Sequence, residues 1–150
     1  MLGRNLKHDE QTYATVWCHG APGIGLARLL SLDYLDDVKI RTEIYDALET
    51  TLENGFNLSH CLCHGDLGNL ELLLQARQKL GEPKWDSMIS RISSETLTSI
   101  ENNGWLCGNP LQVEEPGFMT GLSGIGYGLL RLAFPAKVPS ILGLASPVSC

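Results

Sequence analysis

Apolar residues recur along this chain at helical intervals. From about residue 36 to 53, Ile40, Ile44, Ala47, Leu48 and Leu52 follow one another at spacings of four, three, one and four, the stripe of an amphipathic helix. Asn54-Gly55 supplies its stop. A second stripe, from about 85 to 101, sets Trp85, Met88, Ile89, Ile92 and Ile100 on one face, with Pro83 at its start and Asn103-Gly104 at its end. Three other segments, Gly23 to Leu30, Asp66 to Leu80 and Leu122 to Ala133, are shorter, less charged and richer in Leu and Gly. They are expected to lie deeper. Leucine dominates the apolar set, with 26 residues against 8 Ile and 5 Val, which favours helix over strand. The expected fold class is all-α.

The three apolar segments repeat one another: HGAPGIGLARLL from His19, HGDLGNLELLL from His64 and TGLSGIGYGLLRL from Thr120. Each has Gly-x-x-Gly entering a Leu-rich helix, and the pairs Gly20/Gly23, Gly65/Gly68 and Gly121/Gly124 step by 45 and 56 residues. A period of this size with two helices per unit predicts stacked helical hairpins, none of which buries its apolar face alone. A glycine-rich turn before a helix also invites a phosphate-binding reading. The order Gly-x-x-Gly-x-Gly reverses the dinucleotide fingerprint, no β-rich run precedes it, and the Lys-Ser/Thr of a P-loop is absent. The glycines are therefore read as permitting tight turns and close backbone approach.

Composition narrows the function. The 150 residues fit one domain, which would bury roughly 70% of the surface its unfolded chain exposes. At 43% hydrophobic and 19% charged, with mean hydropathy near zero, the chain is neither disordered nor collagen-like. Eleven Lys and Arg against 17 Asp and Glu give a net charge of −6, so nucleic acid is not an expected partner. The N-terminus has no apolar h-region and Pro139 and Pro147 interrupt the apolar C-terminal stretch, so no secretion and no membrane span are expected. Five cysteines at irregular spacing suit reduced thiols or a metal site better than a disulfide framework, and the expected compartment is cytoplasmic.

Two of the three glycine turns follow soft metal ligands: Trp17-Cys18-His19-Gly20 and Cys61-Leu62-Cys63-His64-Gly65. The third, Met119-Thr120-Gly121, does not. If equivalent turns are neighbours at one end of a helical array, Cys18, Cys63 and His64 converge, and two thiolates with one imidazole suit zinc. The run from His60 to His64 offers a local alternative through Cys61, and spacing leaves that choice open. Cys107 and Cys150 have no partner in a repeated turn and read as small hydrophobes. His8, in a polar stretch, reads as solvated.

These motifs, WCHGAPGIG from Trp17, CHGDLGN from Cys63 and MTGLSGIGYG from Met119, resemble the C-terminal half of a lanthionine synthetase cyclase domain (LanC-like). The WCHG form and the ending GLLRLA are most similar to the class II bifunctional enzymes of the LanM type. The resemblance covers the chain from about residue 13. It implies a partial α/α toroid, residues 1–150 forming roughly the last three helical repeats of a cyclase domain with no second domain. It also implies Zn²⁺ held by Cys18, Cys63 and His64, which sets Cys61 aside as a ligand. His19 becomes a candidate catalytic residue, for substrate contact or proton transfer. The family's other acid/base residues, a His and an Asp, lie upstream of the WC motif without counterpart here, and the class II dehydratase domain is missing. The implied partners are a lanthipeptide (lantibiotic) precursor peptide and the remaining cyclase and dehydratase segments of the synthetase.

The implied reaction adds a peptide thiol to a dehydroalanine or dehydrobutyrine of the same peptide to form a thioether ring. A thiol of pKa about 8.5 is only about 3% ionised at pH 7, so full deprotonation raises the thiolate fraction about 30-fold, equivalent to roughly 2 kcal/mol. Positioning supplies further acceleration, and an acid must protonate Cα. A prenyltransferase-like toroid would also use zinc on a thiol, but its Asp-rich metal set and diphosphate-binding basic patch are not evident. A non-catalytic helical scaffold or degenerate remnant is the alternative of a different class. Read as a piece of the cyclase domain, the chain is expected to be unstable or self-associating through its exposed repeat face unless the rest of the domain is supplied.

Overall fold

A computed structural model describes residues 13–146, so the readings made above for His8 and Cys150 lie outside the described residues. Among the described residues there are five helices and no strand ladder, in the order α1 (Ala21–Ser31), α2 (Val38–Asn54), α3 (Asp66–Leu80), α4 (Lys84–Asn103) and α5 (Leu122–Ala133). The all-α expectation is met. Helix α2 begins where the Asp37 carboxylate accepts the Ile40 N–H at 2.8 Å, and stops where the Gly55 N–H reaches the Thr51 carbonyl. Its predicted stripe is the buried one, with Ile44, Ala47 and Leu48 against the core. Helix α4 buries Trp85, Ile89 and Ile92 as its spacing predicts, and ends at Gly104 with φ of 74°.

The helices pair as the repeat requires. Helix α1 packs on α2, and α3 on α4, while α3 lies between α1 and α5. Leu29, Ile44, Leu48, Leu70, Leu73, Ile92 and Ile125 meet in one fully buried cluster. The expectation that all three glycine-rich segments are deeply buried holds for α3, where every residue from Asp66 to Ala76 is buried. It is corrected for α1 and α5. Among the described residues each has a neighbouring inner helix on one side only, so α1 leaves Ile24 and Ala27 exposed, and α5 leaves Ser123, Gly126 and Leu130 exposed.

The glycine pairs act as a steric frame. A Cβ at Gly20, Gly65 or Gly121 would overlap the carbonyl oxygen of Ala14, Ser59 or Glu115, and one at Gly23, Gly68 or Gly124 that of Trp17, Leu62 or Phe118. In every case the carbonyl belongs to the residue six positions earlier, so the three turns share one backbone path. Only Gly20 among these six has a positive φ, 136°; the rest are needed for close approach.

Two buried polar contacts tie the frame together. Asn69 of α3 donates to the Gly55 carbonyl at 2.6 Å and to the Thr15 carbonyl at 2.9 Å, joining the end of α2 to the segment before α1. Arg131 of α5 forms a bidentate pair with Glu71 of α3, 3.1 Å on each arm, and caps the carbonyls of Pro135 and Val138. Gln75 donates to the same Glu71 at 2.9 Å. Both charged side chains are about 95% buried, so the bidentate geometry is what offsets their desolvation.

Candidate metal centre

The equivalent turns stand side by side. The Cys18 N–H donates to the Cys63 carbonyl at 3.2 Å, and the Cys63 N–H to the Met119 carbonyl at 2.9 Å. Cys18, Cys63 and Met119 occupy the same position of the three repeats, so a one-residue backbone ladder crosses the array at the ligand position. The consequence is convergence: the ligand atoms of Cys18, Cys63 and His64 all lie within 4.8 Å of one another. Among the described residues no other group of three His, Cys, Asp or Glu gathers in this way.

Cys18 is exposed, while Cys63 and His64 are half-buried. Burial, with the Cys18 thiol beside it, pushes the Cys63 thiol up to about 11. Burial and the neighbouring Cys18 thiol both disfavour the ionised form of Cys63, and a bound cation would reverse that. Tetrahedral zinc, with Zn–S of about 2.3 Å and Zn–N of about 2.0 Å, holds its ligand atoms roughly 3.5 Å apart. Small side-chain rotations would bring these three to that separation. The donor set therefore fits zinc.

The imidazole of His64 is aimed by a residue that the sequence does not single out. Its Nε2 lies 2.7 Å from the Gly108 carbonyl oxygen, which only accepts, so Nε2 carries the proton and the Nδ1 lone pair is left for a metal. A Cβ at position 108 would press on the His64 ring and the Cys61 sulfur at 2.7 Å. The Gly108 N–H is held by the Thr120 carbonyl at 2.6 Å, tying it to the third turn. Just before it, buried His60 accepts the Leu106 N–H on Nδ1 at 3.0 Å and contacts the Ser99 hydroxyl through Nε2. Burial lowers the His60 pKa, consistent with a neutral ring that clamps the loop.

The remaining expectations resolve individually. Cys61 is fully buried, and its sulfur accepts from the Ser59 hydroxyl and the His64 N–H, so it packs inside the turn and stands apart from the ligand cluster. Cys107 is fully buried in the apolar core. His19 is exposed, and its backbone closes the turn by pairing with Val16. Two grooves border the cluster. One, of about 710 Å³, is lined by Trp17, Cys18, Ile24 and Ala27. The other, of about 630 Å³, is lined by His64, Asn57, Asn109 and Gln112.

Fold and cluster together define an all-helical protein of stacked hairpin repeats with a Cys₂His metal-type centre between Gly-x-x-Gly turns. The lanthionine synthetase C-like protein family matches residues 3–142, and the chain belongs to that family. It is 32% identical over 139 residues to the lacticin 481/lactococcin biosynthesis protein LcnDR2 of Lactococcus lactis subsp. lactis, covering 81% of this chain and 14% of that protein. It is 28% identical over 109 residues to the nisin biosynthesis protein NisC of the same organism, covering 72% of this chain and 24% of NisC. The chain thus spans a quarter or less of the curated relatives it matches. No helix of the described residues is long and apolar enough to cross a membrane.

Proposed function

We propose that this chain is the metal-bearing, C-terminal part of a zinc-dependent lanthionine cyclase acting in the cytoplasm on a lanthipeptide precursor. The observation that carries the reading is the convergence of Cys18, Cys63 and His64, from turns 45 residues apart in sequence, to within 4.8 Å. Bound there by these three side chains, zinc would supply the positive charge that keeps a peptide cysteine deprotonated at neutral pH.

The chain's own residues do the rest. Gly108 holds the His64 ring, and Cys18 sits at the edge of an apolar groove whose Trp17 and Ile24 suit the side chains of an extended peptide. On the far side, Asn57, Asn109 and Gln112 offer hydrogen bonds to a peptide backbone. In the reaction the thiolate sulfur bonds to Cβ of the dehydroamino acid, the C=C electron pair moves to Cα, and a proton is delivered to Cα. His19, exposed beside Cys18, is the group of this chain proposed to contact substrate or carry that proton. The acid/base residues upstream of the WC motif and the dehydratase function belong to the partner segments of the synthetase, so the isolated chain is not expected to close rings.

Zinc stoichiometry tests the site. The purified protein should carry about one zinc per chain and Cys63→Ala none, as read by elemental analysis; undiminished zinc in the variant would overturn the ligand assignment. A complete synthetase containing this segment should protect a dehydrated precursor's cysteines from alkylation, and lose that protection with Cys63→Ala. If wild type binds no zinc, the scaffold reading takes its place.

A further inference from the structure

The loop before the third turn is longer than the one before the second. Both begin at a glycine whose N–H closes the preceding helix, Gly55 on the Thr51 carbonyl and Gly104 on the Ile100 carbonyl. Both also end alike: the residue after each turn glycine, Asp66 or Leu122, donates its N–H at 2.8 Å to the carbonyl of Ser59 or Glu115. Between these fixed points the second repeat has three residues, Phe56 to Leu58, and the third has ten, Trp105 to Glu114. The added length carries the chain across to His64, where the Gly108 carbonyl meets Nε2, and back to the third turn.

One side chain builds the return. Asn109 Oδ1 accepts the N–H of Leu111 at 3.2 Å and of Val113 at 3.1 Å, its Nδ2 donates to the Val113 carbonyl at 2.6 Å, and the Gln112 N–H closes on the Asn109 carbonyl at 2.9 Å. Gln112 is thereby held at φ of 54°, a left-handed backbone that glycine would adopt without strain. Among the described residues three non-glycines have such a φ, and two of them, Gln112 and Asn57, line from separate loops the groove of about 630 Å³ that reaches His64. Strain of this kind gathers where a side chain is presented to a ligand.

The groove is also without charge. Leu58, Leu106 and Pro110 give it apolar surface, Asn57 and Gln112 give it amides, and among the described residues no Asp, Glu, Lys or Arg lines it. A charged side chain entering it would lose hydration and gain no counter-ion. An uncharged one would keep a hydrogen bond or an apolar contact.

We propose that this added turn is a specificity element for the precursor peptide: Gln112 contacts the residue next to the reacting cysteine and selects an uncharged one, and Asn109 is the residue that positions Gln112. The inference rests on the cyclase reading. A cysteine at the metal sets its neighbours roughly 3.3 Å along an extended chain to either side, so one flank of the peptide falls in the groove that His64 shares with the metal.

The test uses a complete, zinc-loaded synthetase containing this segment and three dehydrated peptides that differ only beside the cysteine, with Gln, Glu or Lys on both sides. Wild type should favour the Gln peptide by about 10-fold or more in kcat/KM, carried by KM. Gln112→Lys should raise the ratio of Glu to Lys peptide about 10-fold, and Gln112→Glu should lower it as far. Asn109→Ala should erase the preference while zinc content is retained. Ratios unchanged in both Gln112 variants, with rings still formed, overturn the inference and leave the cyclase reading standing. So does an equal loss on all three peptides, which would mark a turn that supports the fold or meets another segment of the synthetase. No ring from any peptide with wild type overturns the cyclase reading, and the inference falls with it.

Discussion

The turn before α3 and the turn before α1 share a glycine frame and differ in enclosure. Cys63 and His64 have a neighbouring turn on each side, a carbonyl from Gly108 on the imidazole, and a clamped loop behind them. Cys18 has the Cys63 carbonyl on one side and an open groove on the other. The repeat therefore supplies the backbone geometry of a ligand, while its place in the array supplies the environment. Half of the centre is preorganised by burial and the other half is presented to solvent.

The sharpest break in this comparison is at the charged lock of α3. Glu71 and Arg131 correspond by the repeat to Leu26 and Gln75 at the α1 contact, an apolar and an amide side chain that form no ion pair. Arg131→Met should cost about 3–5 kcal/mol in urea unfolding, because Glu71 is left buried with its charge unmatched. Adding Glu71→Leu, which imitates the α1 contact, should recover most of that loss; a single-variant cost below about 1 kcal/mol would remove the lock from the account.

Asp66 opens the same enclosed helix where α1 has Ala21 and α5 has Leu122. Burial pushes its carboxyl up to about 6, against the Leu58 N–H bond that favours the charged form. With the folded pKa raised above the ordinary 3.8, the fold binds this proton more tightly than the unfolded chain. Stability should fall as pH rises from about 4 to about 6, by up to about 3 kcal/mol, and stay lower above that window. Asp66→Asn should flatten that part of the stability profile, and an unchanged slope would argue against burial as the cause of the raised pKa.

The imidazole support is tested by Gly108→Ala. Pressing a methyl on the His64 ring should weaken zinc about 10–100-fold in competition with a chromophoric chelator, with stoichiometry at saturation unchanged. Equal affinity would mean that the Gly108 carbonyl does not aim the ligand. The smallest effect compares Gly126 with Gly25, its counterpart in the repeat. Gly126→Ala, in open space, should gain about 0.5–1 kcal/mol in thermal unfolding, whereas Gly25→Ala should lose stability against Ala47 and Leu72. Equal responses would erase the difference between filled and open faces.

Much of the fold was legible because its cues are local. The stripe from Ile40 to Leu52 and the stop at Gly55 mark α2 to within two residues, since one helix's apolar period and caps depend on neighbours in sequence. The clustering of Cys18 and Cys63 was legible for a less common reason: the repeat places them at one position of equivalent turns, so stacking carries them together. Gly108 and the Glu71–Arg131 pair had no such signal. A backbone carbonyl acts through direction, which residue type does not encode, and a buried pair 60 residues apart leaves no period.

Pattern and repeat were thus enough for helix class, for hairpin order and for placing Cys18 and Cys63 at one position of equivalent turns, because each follows from spacing along the chain, whereas the choice of Cys63 over Cys61 came from the family resemblance. Three-dimensional packing alone buried α3 from Asp66 to Ala76 while leaving α1 and α5 half covered, and set the Gly108 carbonyl against Nε2 of His64. Those outcomes depend on which surfaces meet, and every one of them is made by a contact between residues of different turns or helices.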